Sequence, residues 1–254
     1  MEFDPFRRER VEFVWWMYFM NNFGVKWDFF VTTFIDKGAY TEVLTGLKNT
    51  ILIAVIGLLI GVLIGTIIAI VKVLPKNSGA TLVFKRICDI YVAFFRGTPM
   101  VVQLLVGYYV IFPLIGVNMS SLNACIIIFG LNSGAYVSEI MRSGLLSVDH
   151  GQMEAGRALG LGFGYTMRLI IVPQAVKNIL PTIGNEFITL VKETSIVSFV
   201  GAMDLCTAFK NIGNSNYEYM VPYIVMALIY IVIVLIITLG IKLMERRLRA
   251  SDRS

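Results

Sequence analysis

The chain has 254 residues, 57% of them hydrophobic and only 15% charged. A soluble globular domain carries about a quarter charged residues, so an ordinary soluble fold is excluded. The net charge of +5 is what basic membrane-flanking loops produce and carries no signal for nucleic acid.

Several apolar runs reach the roughly 20 residues that a helix needs to cross the hydrocarbon core. They are continuous rather than alternating, which excludes a transmembrane barrel. An all-α integral membrane bundle is therefore expected, since helices satisfy their own backbone groups in lipid. Cys88, Cys125 and Cys206 lie far apart without a CxxC pair and read as small buried hydrophobes, not a metal site.

At the start, Arg7, Arg8 and Arg10 precede the stretch VEFVWWMYFMNNF, which is short for a crossing and contains Glu12. No cleaved signal peptide is expected there. Residues 1–48 hold six Lys/Arg against seven Asp/Glu, so they show no charge bias. Trp15, Trp16, Tyr18 and Trp27 suit an interfacial helix. Residues 1–48 are thus read as an external or interfacial segment, 49–247 as the membrane domain and 248–254 as a cytoplasmic tail.

Five spanning helices are expected, at about Thr50–Val71, Leu82–Phe112, Ser121–Met141, Tyr165–Val191 and Val221–Leu243. Lys72, Lys76, Lys85 and Arg86 follow the first, and Arg142, Arg157 and Arg168 follow the third. Lys242, Arg246, Arg247, Arg249 and Arg253 lie at or after the end of the fifth. By the positive-inside rule these segments are cytoplasmic, which puts the N-terminus outside and the C-terminus inside. Val110–Ser120 and Lys192–Val221 are then the outer loops.

The first span carries Gly57, Gly61, Gly65 and Ala69 at four-residue spacing, a small-residue face for close helix packing within the chain. The second contains FFRGTPMVVQL, in which Pro99 removes a helix hydrogen bond and Arg96 must snorkel or face protein. Gln103 either lines a pathway or bonds a neighbouring helix. Asn132, Ser133, Ser138 and Glu139 interrupt the third span, and Asn185, Glu186, Thr189, Lys192 and Glu193 the fourth. So polar a helix borders a wet cavity or a subunit interface, with interhelical hydrogen bonds absorbing part of the polarity.

Between the third and fourth spans lies SVDHGQMEAGRALGLGFGYTMRLIIVP. Asp149 with Gln152 three residues on is a capping box that starts a helix, and Gly160 and Gly162 end it. Glu154 and Arg157 offer charged contacts, while Ala155, Gly156 and Ala158 are small enough for another surface to approach. Lone His150 is assigned no function.

The spacing Glu154-Ala155, Gly160, then Ile170-x-Val172-Pro173 resembles the EAA signature of permease subunits of ABC importers, with Gly156 for the second Ala and Val172 for Leu. RGTP-x-x-x-Q (96–103), NSGAYVSEI (132–140) and GNEFITLVKETSIVSFVG (184–201) resemble the polar amino acid branch of that family. Ala93 stands where members commonly have an acidic residue. The resemblance implies a type I importer permease of the MetI-like fold. It implies that 142–168 is the loop docking a separate ATPase subunit through Glu154, Ala155, Gly156, Arg157 and Gly160. It also implies a second permease, identical or paralogous, an extracellular solute-binding protein, and a bacterial or archaeal plasma membrane. No GxxxxGK[ST] phosphate loop occurs, so no cofactor is expected on this chain and ATP with Mg belongs to the partner ATPase.

A zwitterionic amino acid needs opposed partners for its carboxylate and its ammonium. Gln103, Asn132, Ser133, Asn185, Thr189, Glu193 and Ser195 are the candidate pathway residues, Glu193 being the expected ammonium partner. Another small polar solute is the first alternative. An ion-coupled carrier using Glu139, Glu186 or Glu193 is the second, and it leaves the docking loop without a reason.

Overall fold

The computed structural model describes residues 22–73 and 79–250. The described residues contain helices and turns and no strand. The expectation of an interfacial helix over residues 11–23 falls almost wholly outside them. Residues 22–31 form helix α1, which runs into a π turn at Thr32–Asp36. Phe23, Trp27, Phe30, Phe34 and Tyr40 follow one another in ring contact along it.

Helix α2 covers Tyr40–Val73, beginning ten residues before the expected span. After the undescribed 74–78 come α3 (Gly79–Gly97) and α4 (Met100–Leu114), then α5 (Ser121–Leu146) and the short α6 (His150–Ala158). Helix α7 runs Phe163–Val200 with a 3-10 last stretch from Thr194, followed by α8 (Leu205–Asn216) and α9 (Met220–Ala250). Helices α2, α5 and α9 are each long and apolar enough to cross a membrane, and the number is five where each bent pair, α3/α4 and α7/α8, counts as one crossing.

Two expectations change. The second span is not one helix: α3 and α4 meet at 107°. Pro99 stands at the start of α4 in extended conformation, because a proline has no N–H to continue the ladder. The expected outer loop after Lys192 is itself helical. Helix α8 buries Leu205, Ala208, Phe209 and Ile212 against α2 and α9, bent 51° from α7. Its amphipathic spacing is interrupted in sequence by Asp204 and Lys210.

The centre of the bundle is the α2/α5 contact. A Cβ on Gly61 would stand 2.7 Å from the Ser133 Cβ, and one on Gly65 would stand 2.8 Å from the Val137 Cβ. In return, Gly130 and Gly134 of α5 receive Ile60 and Ile64 of α2. In lipid, where hydrophobicity cannot drive helices together, such close approach supplies the dispersion contact that holds them. The small-residue face on the first span therefore serves packing within the chain.

Prolines set the irregular turns. The ladder widens to π spacing at Gly107–Ile111 and at Met167–Ile171. Each wide turn ends within two residues of a proline, Pro113 and Pro173, whose ring needs room against the carbonyl one turn back. Pro181 lies inside α7 with no break in the helix there.

Candidate functional site

Helix α6 forms because Asp149 caps it, accepting a hydrogen bond from the Gly151 N–H at 2.6 Å. It stops at Gly160, whose φ of +78° is the left-handed conformation that closes a helix end at little cost for glycine. One side of the helix packs inward: Met153 joins the cluster of Val148, Ile171, Ala175 and Ile179. Gly156 is buried on Thr166, where a Cβ would stand 2.6 Å from its Cγ2. Gly156 thus serves the fit of α6 to its own bundle and does not present a small face to a partner. Glu154, Ala155, Arg157 and Ala158 are exposed on the other side, with Leu159 at 80% exposure beside them. Leu159 belongs to this surface and the sequence reading did not single it out.

The elbow between α3 and α4 explains three polar residues. Gln103 Nε2 donates to the Phe95 carbonyl at 2.8 Å, the Thr98 carbonyl at 3.0 Å and the Thr98 Oγ1 at 2.8 Å. Asn132 Nδ2 of α5 donates to Gln103 Oε1 at 2.8 Å. Carbonyls orphaned by the break are thereby satisfied in an apolar setting, where leaving them bare is costly. Gln103, expected either to line a pathway or to bond within the bundle, makes bonds within the bundle, and Asn132 bonds with it. Ser133 Oγ donates to Glu186 Oε1 at 3.1 Å, both buried, so Ser133 likewise faces the interior of this chain.

Along α7 the picture is different. Gln174, Asn178, Thr182, Asn185 and Thr189 are all exposed and follow one another at intervals of three or four residues. That spacing puts them on one helix face. A polar stripe of this length on an intramembrane helix does not face hydrocarbon. Glu193 lies at its edge, half-buried, and Ser195 continues it into the 3-10 stretch, its hydroxyl donating to the Lys192 carbonyl at 3.1 Å. Of the pathway candidates, Asn185, Thr189, Glu193 and Ser195 are therefore grouped, whereas Gln103, Asn132 and Ser133 are separate.

At the α6 end of the bundle, Glu139 is held by three cations. Lys72 Nζ lies 3.1 Å and Arg142 Nη2 2.8 Å from its carboxylate, and Arg96 Nη1 4.0 Å away. Lys72 also reaches Asp89 at 3.0 Å, and Arg96 lies over the Tyr136 ring at 5.6 Å. This network ties α2, α3 and α5 together. At the opposite end, buried Asp204 caps α8 through the Cys206 and Thr207 N–H groups at 3.0 and 2.8 Å. Thr50 Oγ1 accepts from Leu205 N at 3.2 Å and Asn49 donates to the Met203 carbonyl at 2.8 Å, fixing α8 to α2. No group of three or more His, Cys, Asp or Glu with metal-binding geometry occurs among the described residues.

A family model described as "Binding-protein-dependent transport system inner membrane component" matches residues 61–250. The arginine transport system permease protein ArtQ of Bacillus subtilis is 44% identical over 166 residues, 65% of this chain and 76% of that protein. A putative glutamine transport system permease protein GlnP of Rickettsia felis is 39% identical over 206 residues, 81% of this chain and 92% of that protein. Among solved structures, an amino acid ABC transporter crystallised with histidines matches with a TM-score of 0.77 at 40% identity, over 84% of this chain and 98% of that one. A methionine ABC transporter, MetNI in an inward-facing conformation, shares the fold at a TM-score of 0.69 and 19% identity, over 81% and 95% of the two chains.

Proposed function

The chain belongs to the family of binding-protein-dependent transport system inner membrane components, and from that membership we propose that it is a permease subunit carrying polar amino acids into the cell. It is a multi-pass membrane protein and not itself the catalyst of ATP hydrolysis. The observation that carries the reading is α6: a capped helix held to the bundle by Met153 and Gly156, with Glu154, Ala155, Arg157 and Leu159 turned outward. An apolar bundle has no internal use for that outer face. It fits a cytosolic ATPase subunit, which supplies the ATP and Mg that this chain has no phosphate loop to bind. Closure of two ATPase subunits pulls the docking helices and favours one bundle conformation; a ligand shifts such an equilibrium only through its differential affinity for the two states.

The polar stripe of α7 is the natural wall of the pathway. Asn185, Thr189 and Glu193 share a helix face, and Glu193 receives the substrate ammonium. A second permease, identical or paralogous, closes the pathway, and an extracellular solute-binding protein delivers the solute. The relatives named for arginine and glutamine transport support a polar amino acid as cargo. The α6 end is cytoplasmic, with the N-terminus outside and the C-terminus inside. The ion-coupled alternative loses its first carboxylate, because Glu139 is occupied by Lys72 and Arg142.

The test is co-purification with the cognate ATPase. Ala155→Trp, at an exposed site, should abolish it while the permease remains folded. Unchanged co-purification and unchanged transport in that variant would remove α6 from the docking role.

A further inference from the structure

Helix α3 does not behave as half of a spanning helix. It carries Lys85, Arg86, Asp89 and Arg96 within 19 residues, too many ionisable groups for a lipid-facing span. Four of its exposed apolar side chains, Val83, Ile87, Ile90 and Phe94, follow at intervals of four, three and four, which is one helix face, while Leu82 and Phe84 in the first turns are exposed to either side of it. Lys85, Asp89 and Arg96 occupy the opposite face, with Arg86 exposed at its margin. The remaining side, through Cys88, Tyr91, Val92 and Phe95, rests on α5 and α2.

The position of this helix is fixed by what it touches. Asp89 pairs with Lys72 at the last turn of α2, and Arg96 lies beside Glu139 near the end of α5. Tyr91 reaches the other way, donating to the Leu131 carbonyl. So the charged face lies level with the α6 end of the bundle and the apolar face is turned toward its middle. Helix α4 pairs antiparallel with α5, Gln103 opposite Asn132 and Gly107 opposite Ile128. A helix bent 107° from α4 then runs nearly across the axis of α4 and of the α5 beside it. In the angle of the elbow, Phe94, Val102, Val106, Ile111 and Leu131 line an open apolar crevice of about 230 Å³.

We infer that α3 is an in-plane helix of the cytoplasmic membrane–water interface, its apolar stripe in the acyl region and its basic margin against anionic phospholipid headgroups. The charge pattern argues for that occupant: Arg86 is exposed and Lys85 precedes it. Basic side chains at a membrane surface attract anionic headgroups, and a helix with one apolar and one charged face partitions to that depth. Only α4 then crosses in this part of the chain, and the elbow clamp of Gln103 and Asn132 holds the in-plane helix to the spanning one. The side assigned to α3 rests on the cytoplasmic placement of α6 proposed above; its in-plane depth does not.

The test uses the full transporter in lipid nanodiscs, with single cysteines at 83, 87, 90 and 94 in a background lacking Cys88, Cys125 and Cys206. Spin labels at the four positions should report high oxygen accessibility at one common shallow depth. A spanning helix would instead give a depth gradient of about 16 Å over the eleven steps from 83 to 94, at 1.5 Å each, and that result overturns the proposal. Labels immobilised and shielded from oxygen would show that a second protein surface covers the stripe, and would overturn it equally. For the headgroups, spin-labelled phosphatidylglycerol should quench a fluorophore at position 90 more than spin-labelled phosphatidylcholine does. Arg86→Gln should reduce that preference by about five-fold, the effect of one interfacial charge. Equal quenching by both lipids overturns the headgroup assignment. A shallow common depth with an impermeant reagent reaching position 86 from outside would leave α3 in-plane and contradict the orientation alone.

Discussion

Glu193 and Glu186 lie seven residues apart on α7 yet have different neighbours. Glu186 is buried and engaged by Ser133, whereas Glu193 borders the exposed polar stripe with Asn185 and Thr189. The proposed ammonium contact therefore belongs to Glu193. Glu193→Gln should impair amino acid transport strongly while ATPase co-purification stays normal, since an unpaired buried ligand charge costs about 3–5 kcal/mol. Uptake measured beside basal ATP hydrolysis checks this; normal uptake, or failure only through lost assembly, counts against the assignment. Gln103 gives the contrasting case. Gln103→Leu removes the donor for two elbow carbonyls and the acceptor for Asn132, at about 1–3 kcal/mol for each group left bare. A lowered thermal midpoint in detergent is expected, with substrate selectivity unchanged in the protein that remains folded. A selectivity change without loss of stability would put Gln103 in the pathway.

At the scale of elements, α6 separates two kinds of glycine and alanine that the sequence presents side by side. Gly156 meets Thr166, so Gly156→Val overpacks the contact and should loosen α6 at about 1–3 kcal/mol. Ala155→Trp adds bulk to an exposed face and should leave the melting point alone. Both lose the ATPase, but only the first should lower the thermal midpoint; equal midpoints would place Gly156 on the docking surface after all. The capped helix, its glycine stop and the small-residue face on α2 were legible because each depends on neighbours close in sequence. What Gly156 touches was not, because Thr166 approaches it only through the turn that Gly160 makes. The elbow shows the same limit. Pro99 announced a weakened helix, but the angle of the break is set by tertiary partners, Gln103 and Asn132, that no local pattern discloses. Helix α8 was misread as a loop because its burial depends on α2 and α9 covering it, with Asp204 capped inside rather than hydrated.

For the whole molecule, composition and apolar runs were enough to reach a helical membrane bundle, since lipid leaves the backbone few options. Orientation rests on the distribution of Lys and Arg. Reporter fusions at Asn118 and at the exposed Tyr217 should appear outside, and one at Ser147 inside. A cytoplasmic signal at Tyr217 would reverse the arrangement and with it the placement of α6. The same reading divides labour between chains: this one supplies the pathway and a docking helix, and another supplies ATP chemistry. Uptake of a radiolabelled polar amino acid into proteoliposomes, holding this permease with its ATPase and binding protein, tests that division most directly. The account predicts uptake that requires ATP, is abolished by Ala155→Trp and is indifferent to collapse of proton and sodium gradients. Uptake by the permease alone, driven by an ion gradient without ATP, would contradict it.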